Sequence, residues 1–278
     1  MKYCDLHVHS DHSDGTCTVA QLLEIARETG LCAVALTDHN SVSGLPEFMA
    51  AETDFERIPG TEFSTEYDGT ELHILGLYIK PEYYDAVTDR AEQYMRDKEQ
   101  SNINLCKALT AAGYPLDYDA IKAATTDGFV NRGVIGAEMV RLGYIESIRM
   151  GFKTVLGEKR GYYVPPKRPD ALEIIRFIKS IGAVAVLAHP FLSMEQDKLE
   201  QFLPLAVEAG LDGMEVLYSR NSPEETEASF ALIEKYGLLP SGGSDFHGEN
   251  KPDIQMGTGR GDLKIPFSWA EQIKLKKT

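Results

Sequence analysis

Tyr3-Cys4-Asp5-Leu6-His7-Val8-His9, at the start of this 278-residue chain, reads as a strand ending in two histidines. Side chains repeat every second residue along a strand, so His7 and His9 project to one side and aim two imidazoles at one spot. The same ending recurs. Ala33-Val34-Ala35-Leu36 stops at Thr37-Asp38-His39-Asn40, and Ala183-Val184-Ala185-Val186-Leu187-Ala188 reaches His189-Pro190. The apolar run 238–243 leads into Ser244-Asp245-Phe246-His247, where Asp245 and His247 share a face if the chain stays extended. Directly after the first strand, Ser10-Asp11-His12-Ser13-Asp14-Gly15-Thr16 is turn chemistry from which a carboxylate folds back, and Asp14 is the candidate.

Glu62 and His73 need a separate argument, because His73 starts its apolar run (74–79) where the other histidines end theirs. Asp68-Gly69 is a two-residue hairpin signal. If Tyr67 pairs with Thr70, Glu62 lies opposite Leu75, and His73, two places from Leu75, shares a face with Glu62 as its diagonal neighbour. A longer loop would reverse that parity.

A lone histidine at a strand end is ordinarily a hydrogen-bonded or surface residue. His12 fits that reading, flanking the site without binding metal, and Asp38 either caps the next helix or orients His39. Six of seven histidines at strand-terminal turns, together with three carboxylates, is a different matter. One mixed centre of His7, His9, Asp14, His39, Glu62, His73, His189, Asp245 and His247 accounts for all nine. Imidazole and carboxylate without thiolate suit Mn, Fe or Zn, and the sequence does not choose among them.

The ordered motifs His7-Val8-His9-Ser10, Ser13-Asp14-Gly15, Thr37-Asp38-His39, Gly60-Thr61-Glu62, Glu71-Leu72-His73-Ile74-Leu75-Gly76, Ala188-His189-Pro190 and Ser244-Asp245-Phe246-His247 resemble the PHP (polymerase and histidinol phosphatase) family. Within it the chain is most similar to the stand-alone metal-dependent phosphoesterases acting on nucleotides and short oligonucleotides. The resemblance implies an α/β fold, a distorted seven-stranded β/α barrel, with two or three divalent metal ions. It places His7, His9, Glu62 and Asp245 on a first ion, Glu62 bridging to a second with His73 and His189, and Asp14, His39 and His247 on a third.

The organisation agrees. Strand candidates fall near 3–9, 33–37, 58–64, 72–79, 183–188, 212–217 and 238–243, with helical patterns at Val19 to Thr29 and Ala171 to Ser180. Ligands at strand ends then sit on the C-terminal rim of a barrel. Between 81 and 161 no comparable strand occurs. Ala91, Tyr94, Met95, Leu105, Ala108, Leu109 and Ala112 recur near helical spacing, with Gly113-Tyr114-Pro115 as a stop. The expected division is a barrel of 1–80 and 162–278 with an inserted helical subdomain at 81–161. The alternative is that these are ordinary outer barrel helices.

Cys4, Cys17, Cys32 and Cys106 show no paired spacing, and the chain starts at a strand without a charged-then-apolar leader, so a reduced, cytoplasmic protein is expected. No apolar stretch approaches the roughly 18 residues of a membrane span. A formal charge of −15 opposes general binding to long nucleic acid and favours a small phosphorylated substrate, a nucleotide or short oligonucleotide.

The resemblance implies hydrolysis by solvent activated on the cations, with no serine or cysteine nucleophile. Asp14, His189 and His247 are the candidates for proton transfer. Arg132 and Arg160, in the helical insertion and the loop after it, are the candidate phosphate grips, since guanidinium forks suit phosphate oxygens. Two substrate-side positions depart from the family pattern. Val134 stands where a histidine is usual, and Phe191 follows His189-Pro190 where glycine and arginine usually continue. Arg220, in Tyr218-Ser219-Arg220-Asn221, is the candidate replacement cation. Two other functions stay open. A metal-dependent amidohydrolase is disfavoured by the lack of a plausible carbamylated lysine, and a metal-binding module without catalysis is suggested by Val134 and Phe191.

Overall fold

The computed structural model describes residues 2–125, 130–157 and 161–278. The chain divides into two compact units, Met1–Ala91 with Arg168–Thr278, and Glu92–Lys167.

The first unit carries eight strands: β1 (Tyr3–Val8), β2 (Ala33–Leu36), β3 (Glu56–Tyr67), β4 (Thr70–Leu77), β5 (Val184–Ala188), β6 (Gly213–Tyr218), β7 (Leu239–Gly243) and β8 (Ile265–Pro266). In chain order the helices are α1 (Val19–Thr29), α2 (Leu45–Ala50), α3 (Tyr84–Ala111), α4 (Tyr118–Ala123), α5 (Arg132–Arg141), α6 (Ile148–Thr154), α7 (Ala171–Ser180), α8 (Pro190–Ser193), α9 (Gln196–Ala209), α10 (Pro223–Tyr236) and α11 (Phe267–Lys274). Capping explains the sharp ends of α1, where Thr18 and Gln21 form a capping box and Gly30 closes the helix in the left-handed region.

Sheet order is β7-β6-β5-β4-β3-β2-β1-β8. The ring from β1 to β7 closes through the segment after β7: Asp245 N–H donates to His7 O at 2.9 Å and His9 N–H to Phe246 O at 3.0 Å. The seven expected strands are all present in that ring, and the sheet carries an eighth strand beyond them. The extra strand, β8, pairs antiparallel with Tyr3 and Cys4, and its two residues are too few to show alternation.

Pairs β1–β2, β2–β3, β5–β6 and β6–β7 are parallel, whereas β4 runs antiparallel to both its neighbours. This reversal puts the start of β4 on the rim where the other strands end, which is why His73 begins its run. The hairpin register is the one the turn predicts, Tyr67 opposite Thr70 and Glu62 opposite Leu75. Asp68 and Gly69 both take positive φ, as a tight hairpin turn requires.

One apolar layer joins strand residues such as Val34, Leu36 and Phe63 to Leu22, Phe48, Ile174, Phe202 and Leu232 on the helices. A second cluster gathers Leu6, Ala35, Ile58, Leu75, Val186, Ile265 and Ile273. Ile58 shares a face of β3 with Glu62, and Leu75 a face of β4 with His73, so this cluster forms the dry floor beneath the rim. No helix among the described residues is long and apolar enough to cross a membrane.

The second unit is helical, with its own core of Leu105, Leu109, Ile121, Ile135, Met139 and Leu156. Asp117, Asn131 and Ser147 cap α4, α5 and α6 through their side-chain oxygens.

Candidate metal centre

Glu62 is the hub. Its carboxylate has no solvent exposure, and five imidazoles surround it. Oε2 lies 3.1 Å from His7 Nε2, 3.2 Å from His9 Nε2 and 3.1 Å from His39 Nδ1. Oε1 lies 2.8 Å from His73 Nδ1 and 2.9 Å from His189 Nε2. Asp245 Oδ1 stands 3.3 Å from His247 Nδ1 and 3.4 Å from His9 Nε2, and Asp14 Oδ1 lies 3.1 Å from His247 Nε2. All nine residues singled out from the sequence thus lie in one cluster. Asp14, His39 and His73 keep 28, 18 and 17 % of their side-chain surface, so they mark its open side.

Backbone conformation aims several of these groups. His189 and Asp245 adopt φ of 27° and 58°, rare for residues with a Cβ, and Asn40 beside His39 adopts 50°. Each such residue costs about 1–3 kcal/mol and persists only when its surroundings hold it. Asp245 is held by hydrogen bonds to β1. His189 is held by Glu215 of β6, which accepts the His189 backbone N–H at 2.7 Å.

The charges are mutually dependent. Burial opposes ionisation of Glu62, Asp14 and Asp245, yet the imidazoles around them hold all three well below the usual carboxylate range. Burial likewise opposes charge on His9 and His73; the adjacent carboxylates of Asp245 and Glu62 outweigh it at His9, and Glu62 does so at His73, so both rise to about 9. His39 goes the other way, pushed by burial down to about 3.

Seven buried side-chain atoms of the cluster have no hydrogen-bond partner among the described residues: His7 Nε2, His9 Nδ1, His9 Nε2, Asp14 Oδ1, His39 Nδ1, Glu62 Oε2 and His189 Nδ1. Leaving one such atom unpaired costs about 1–3 kcal/mol, so this concentration of unpaired imidazole and carboxylate atoms around Glu62 fits a set of divalent cations. Three groups have donor atoms within 4.8 Å of one another: His7, His9 and Glu62; His39, Glu62 and His73; and His9, Asp14, His39 and His247. Glu62, His9 and His39 each join two groups, so the three groups form one continuous centre.

Around the cluster the structure departs from the sequence reading. Asp38 neither caps a helix nor orients His39. It accepts hydrogen bonds from Ser10 N–H at 2.8 Å, Ser10 Oγ–H at 2.7 Å and Ser13 Oγ–H at 2.6 Å, fixing the loop that carries Asp14. His12 pairs with Ser43 Oγ at 2.9 Å. Arg220 is exposed in the turn after β6. Arg132 lies in the second unit, its guanidinium 4.1 Å from the centre of the Tyr163 ring and 5.4 Å from that of Phe152. Arg160 falls outside the described residues.

Four contributors were missed. Glu215 accepts from His7 Nδ1 at 3.0 Å, and the one available signal was a charge inside an apolar strand run. Tyr218 Oη–H and Lys251 Nζ both donate to Asp245 Oδ2, at 2.9 and 2.6 Å. Arg168 donates to Glu71 at 2.6 Å, and Glu71 lies 3.3 Å from His73 Nε2. Neither Lys251 nor Arg168 carries a sequence signal, because a tertiary turn and a loop bring them in.

A barrel rim lined by imidazoles and carboxylates, over an apolar floor, defines a hydrolase built around divalent cations. A family model described as the PHP domain matches residues 5–179. A 5'-3' exoribonuclease of Haemophilus influenzae is 30 % identical over 249 residues, covering 88 % of this chain and 90 % of the relative. A 3',5'-nucleoside bisphosphate phosphatase of Chromobacterium violaceum is 27 % identical over 260 residues, covering 91 % of each. A solved structure from Bifidobacterium adolescentis, assigned to the metal-dependent phosphoesterases, superposes with a TM-score of 0.85 at 26 % identity, over 100 % of this chain and 97 % of the other. The chain belongs to the PHP domain family and is a phosphoesterase of that family.

Proposed function

We propose that this protein hydrolyses phosphate esters of nucleotides, short oligonucleotides or similarly small phosphorylated metabolites, using two or three ions of Mn, Fe or Zn. The observation that carries this reading is the convergence of nine imidazole and carboxylate side chains into one cluster with Glu62 at its hub. The two relatives support the substrate class, since both are named for reactions on nucleotide or RNA phosphates. The anionic surface of a chain with net charge −15 supports a small or short substrate over a long polymer, and the free cysteines support a reducing, cytoplasmic setting.

Bound divalent cations supply charge neutralisation at phosphate oxygens and lower the pKa of water toward neutrality. The protein's part is to hold donors and move protons. His7, His9, Glu62 and Asp245 are assigned to one ion, Glu62, His73 and His189 to a second, and Asp14, His39 and His247 to a third. The close Asp14–His247 pair, partly open to solvent, is suited to take the proton of the attacking water. His189, against the other oxygen of Glu62, is suited to protonate the leaving alkoxide as the P–O bond breaks. Arg132 and Arg160 are given the phosphate-gripping role by resemblance to the family pattern, whereas Arg220, the replacement cation expected from the sequence, is exposed in the turn after β6. Val134, standing where the family usually has histidine, and Phe191-Leu192, standing where it usually has glycine and arginine, point to altered substrate choice with the hydrolytic machinery intact.

The test is metal-dependent phosphate release from a panel of nucleoside 3',5'-bisphosphates, mononucleotides, histidinol phosphate and 5'-phosphorylated short RNA. Turnover with Mn or Zn, lost in Asp245→Asn at unchanged thermal stability, is the expected result. Hydrolysis of amides without phosphate esters, or bound metal without turnover across the panel, would overturn the reading.

A further inference from the structure

The family pattern continues His-Pro with glycine and arginine, but this chain has Phe191-Leu192 there, and the cation expected to replace that arginine, Arg220, is exposed in its turn. A different cation reaches the cluster. Lys251 Nζ lies 2.6 Å from Oδ2 of Asp245, the carboxylate whose other oxygen faces His7, His9 and His247. Its side chain keeps 24 % of its surface, whereas Asp245 keeps 4 %, so the ammonium sits where the buried cluster meets solvent.

This is not a surface lysine in passing contact. It ends a turn stitched to the loop that carries Asp14. Glu249 N–H donates to Thr16 Oγ1 at 2.9 Å, Asn250 Nδ2 to Asp14 O at 2.8 Å, and Thr16 N–H to His247 O at 3.2 Å. Gly248 takes φ of 62°, and a Cβ there would lie 2.2 Å from Thr16 Oγ1, so the turn is packed to a single geometry. Lys251 itself donates its backbone N–H to Gly248 O at 3.1 Å and accepts from Ile254 N–H at 2.9 Å. Ile254 beyond it is buried.

An ammonium has three donors in a compact charge. One is spent on Asp245 Oδ2, and Tyr218 Oη–H occupies the same oxygen, so Oδ2 is satisfied without further help from lysine. The remaining two donors are not used by Asp245, and the side chain that carries them stays partly open to solvent. Substrate anions approaching three carboxylates in a chain of charge −15 need a local cation besides the metal, and this one is fixed, half-desolvated and beside the reacting centre.

We propose that Lys251 is this chain's own substrate-binding cation, gripping anionic phosphate oxygens with the ammonium donors that Asp245 leaves open. The proposal rests on the phosphoesterase reading, which it deepens by naming the specificity residue. The experiment compares wild type, Lys251→Met and Lys251→Arg, each loaded with manganese. Metal content is measured by mass spectrometry, inorganic phosphate binding by calorimetry, and KM and kcat on the best substrate of the panel. Expected results are wild-type metal content in both variants, phosphate affinity weakened about tenfold to a hundredfold in Lys251→Met, KM raised in proportion with kcat less affected, and recovery in Lys251→Arg. Unchanged phosphate affinity and KM would overturn it, as would a fall in metal content that accounts for the whole loss, because Lys251 would then serve only Asp245. If wild type turns over no phosphate ester, the functional reading fails on its own account, and the phosphate-binding arm still decides whether Lys251 is an anion site.

Discussion

Glu215 Oε1 lies 3.0 Å from His7 Nδ1, and neither side chain is exposed to solvent. With Nδ1–H donated to this carboxylate, His7 turns the lone pair of Nε2 toward Glu62 and any bound ion. The second oxygen of Glu215 holds the backbone N–H of His189, so one buried acid from β6 sets a tautomer on β1 and a backbone angle after β5. Such outer carboxylates typically contribute 10–100-fold to metal affinity. Glu215→Gln, nearly isosteric but a weaker acceptor, is expected to lose about that factor, read by chelator competition. Glu215→Ala strands two buried donors as well, at about 1–3 kcal/mol each, and should also unfold at lower urea. Wild-type metal affinity in both variants would contradict the assignment.

Gly243 makes that contact possible. A Cβ at this position would lie 2.1 Å from His7 Cβ, 2.9 Å from His7 N and 3.0 Å from Glu215 Oε1, so β7 approaches β1 as only glycine permits. Gly243→Ala must push the strands apart or displace His7. The expected outcome is destabilisation of at least about 1–3 kcal/mol by urea denaturation, together with substoichiometric metal in the purified protein. Stability and metal content both unchanged would show that the barrel closes more loosely than these distances state.

Much of this centre is legible in the chain because its ligands obey local rules. His7 and His9 alternate on one strand, Asp68-Gly69 sets the register that puts Glu62 and His73 on one face, and His39, His189 and His247 follow apolar runs. What the sequence hides depends on tertiary closure. Ile265-Pro266 is too short to announce β8. Glu215 differs from a solvated strand residue only because β1 and β5 flank it. Lys251 and Arg168 reach the cluster from turns whose path no periodicity encodes, and Asp38, adjacent to a ligand, serves the opposite loop.

Protons and metal compete for the same nitrogens. In the metal-free protein burial disfavours charge on His9 and His73, but the carboxylates of Asp245 and Glu62 beside His9, and that of Glu62 beside His73, win and raise both to about 9. An unfolded histidine titrates near 6.5, so these two groups stabilise the fold fully below about pH 6.5, and that contribution is lost as pH rises through about 9. The urea stability of chelator-treated protein should therefore fall over this interval. Metal must displace the same protons, so loading at pH 7 should release them, and apparent affinity should climb with pH up to about 9. Calorimetry in two buffers of different ionisation enthalpy counts the protons, and a count of zero would refute the argument.

Asp245 presents a single oxygen to the imidazoles because its other oxygen is occupied. Tyr218 Oη–H reaches Oδ2 at 2.9 Å while its ring lies tilted at 46° beside that of His189, with centroids 5.2 Å apart. Burial and the adjacent Asp245 charge push the Tyr218 hydroxyl well above its ordinary range, so it stays a donor at every pH at which the protein is handled. Hydrogen bonds to a charged acceptor contribute about 1.5–3 kcal/mol. Tyr218→Phe keeps the ring contact and removes only this donor, leaving Lys251 alone on Oδ2. Asp245 can then rotate, and metal affinity is expected to fall about tenfold or more, with little change in the urea midpoint of the metal-free protein. The pH dependence of kcat should keep its shape, since a hydroxyl that does not titrate supplies no limb to the profile. A variant whose alkaline limb shifts or disappears would instead assign Tyr218 a proton-transfer role that this geometry denies it.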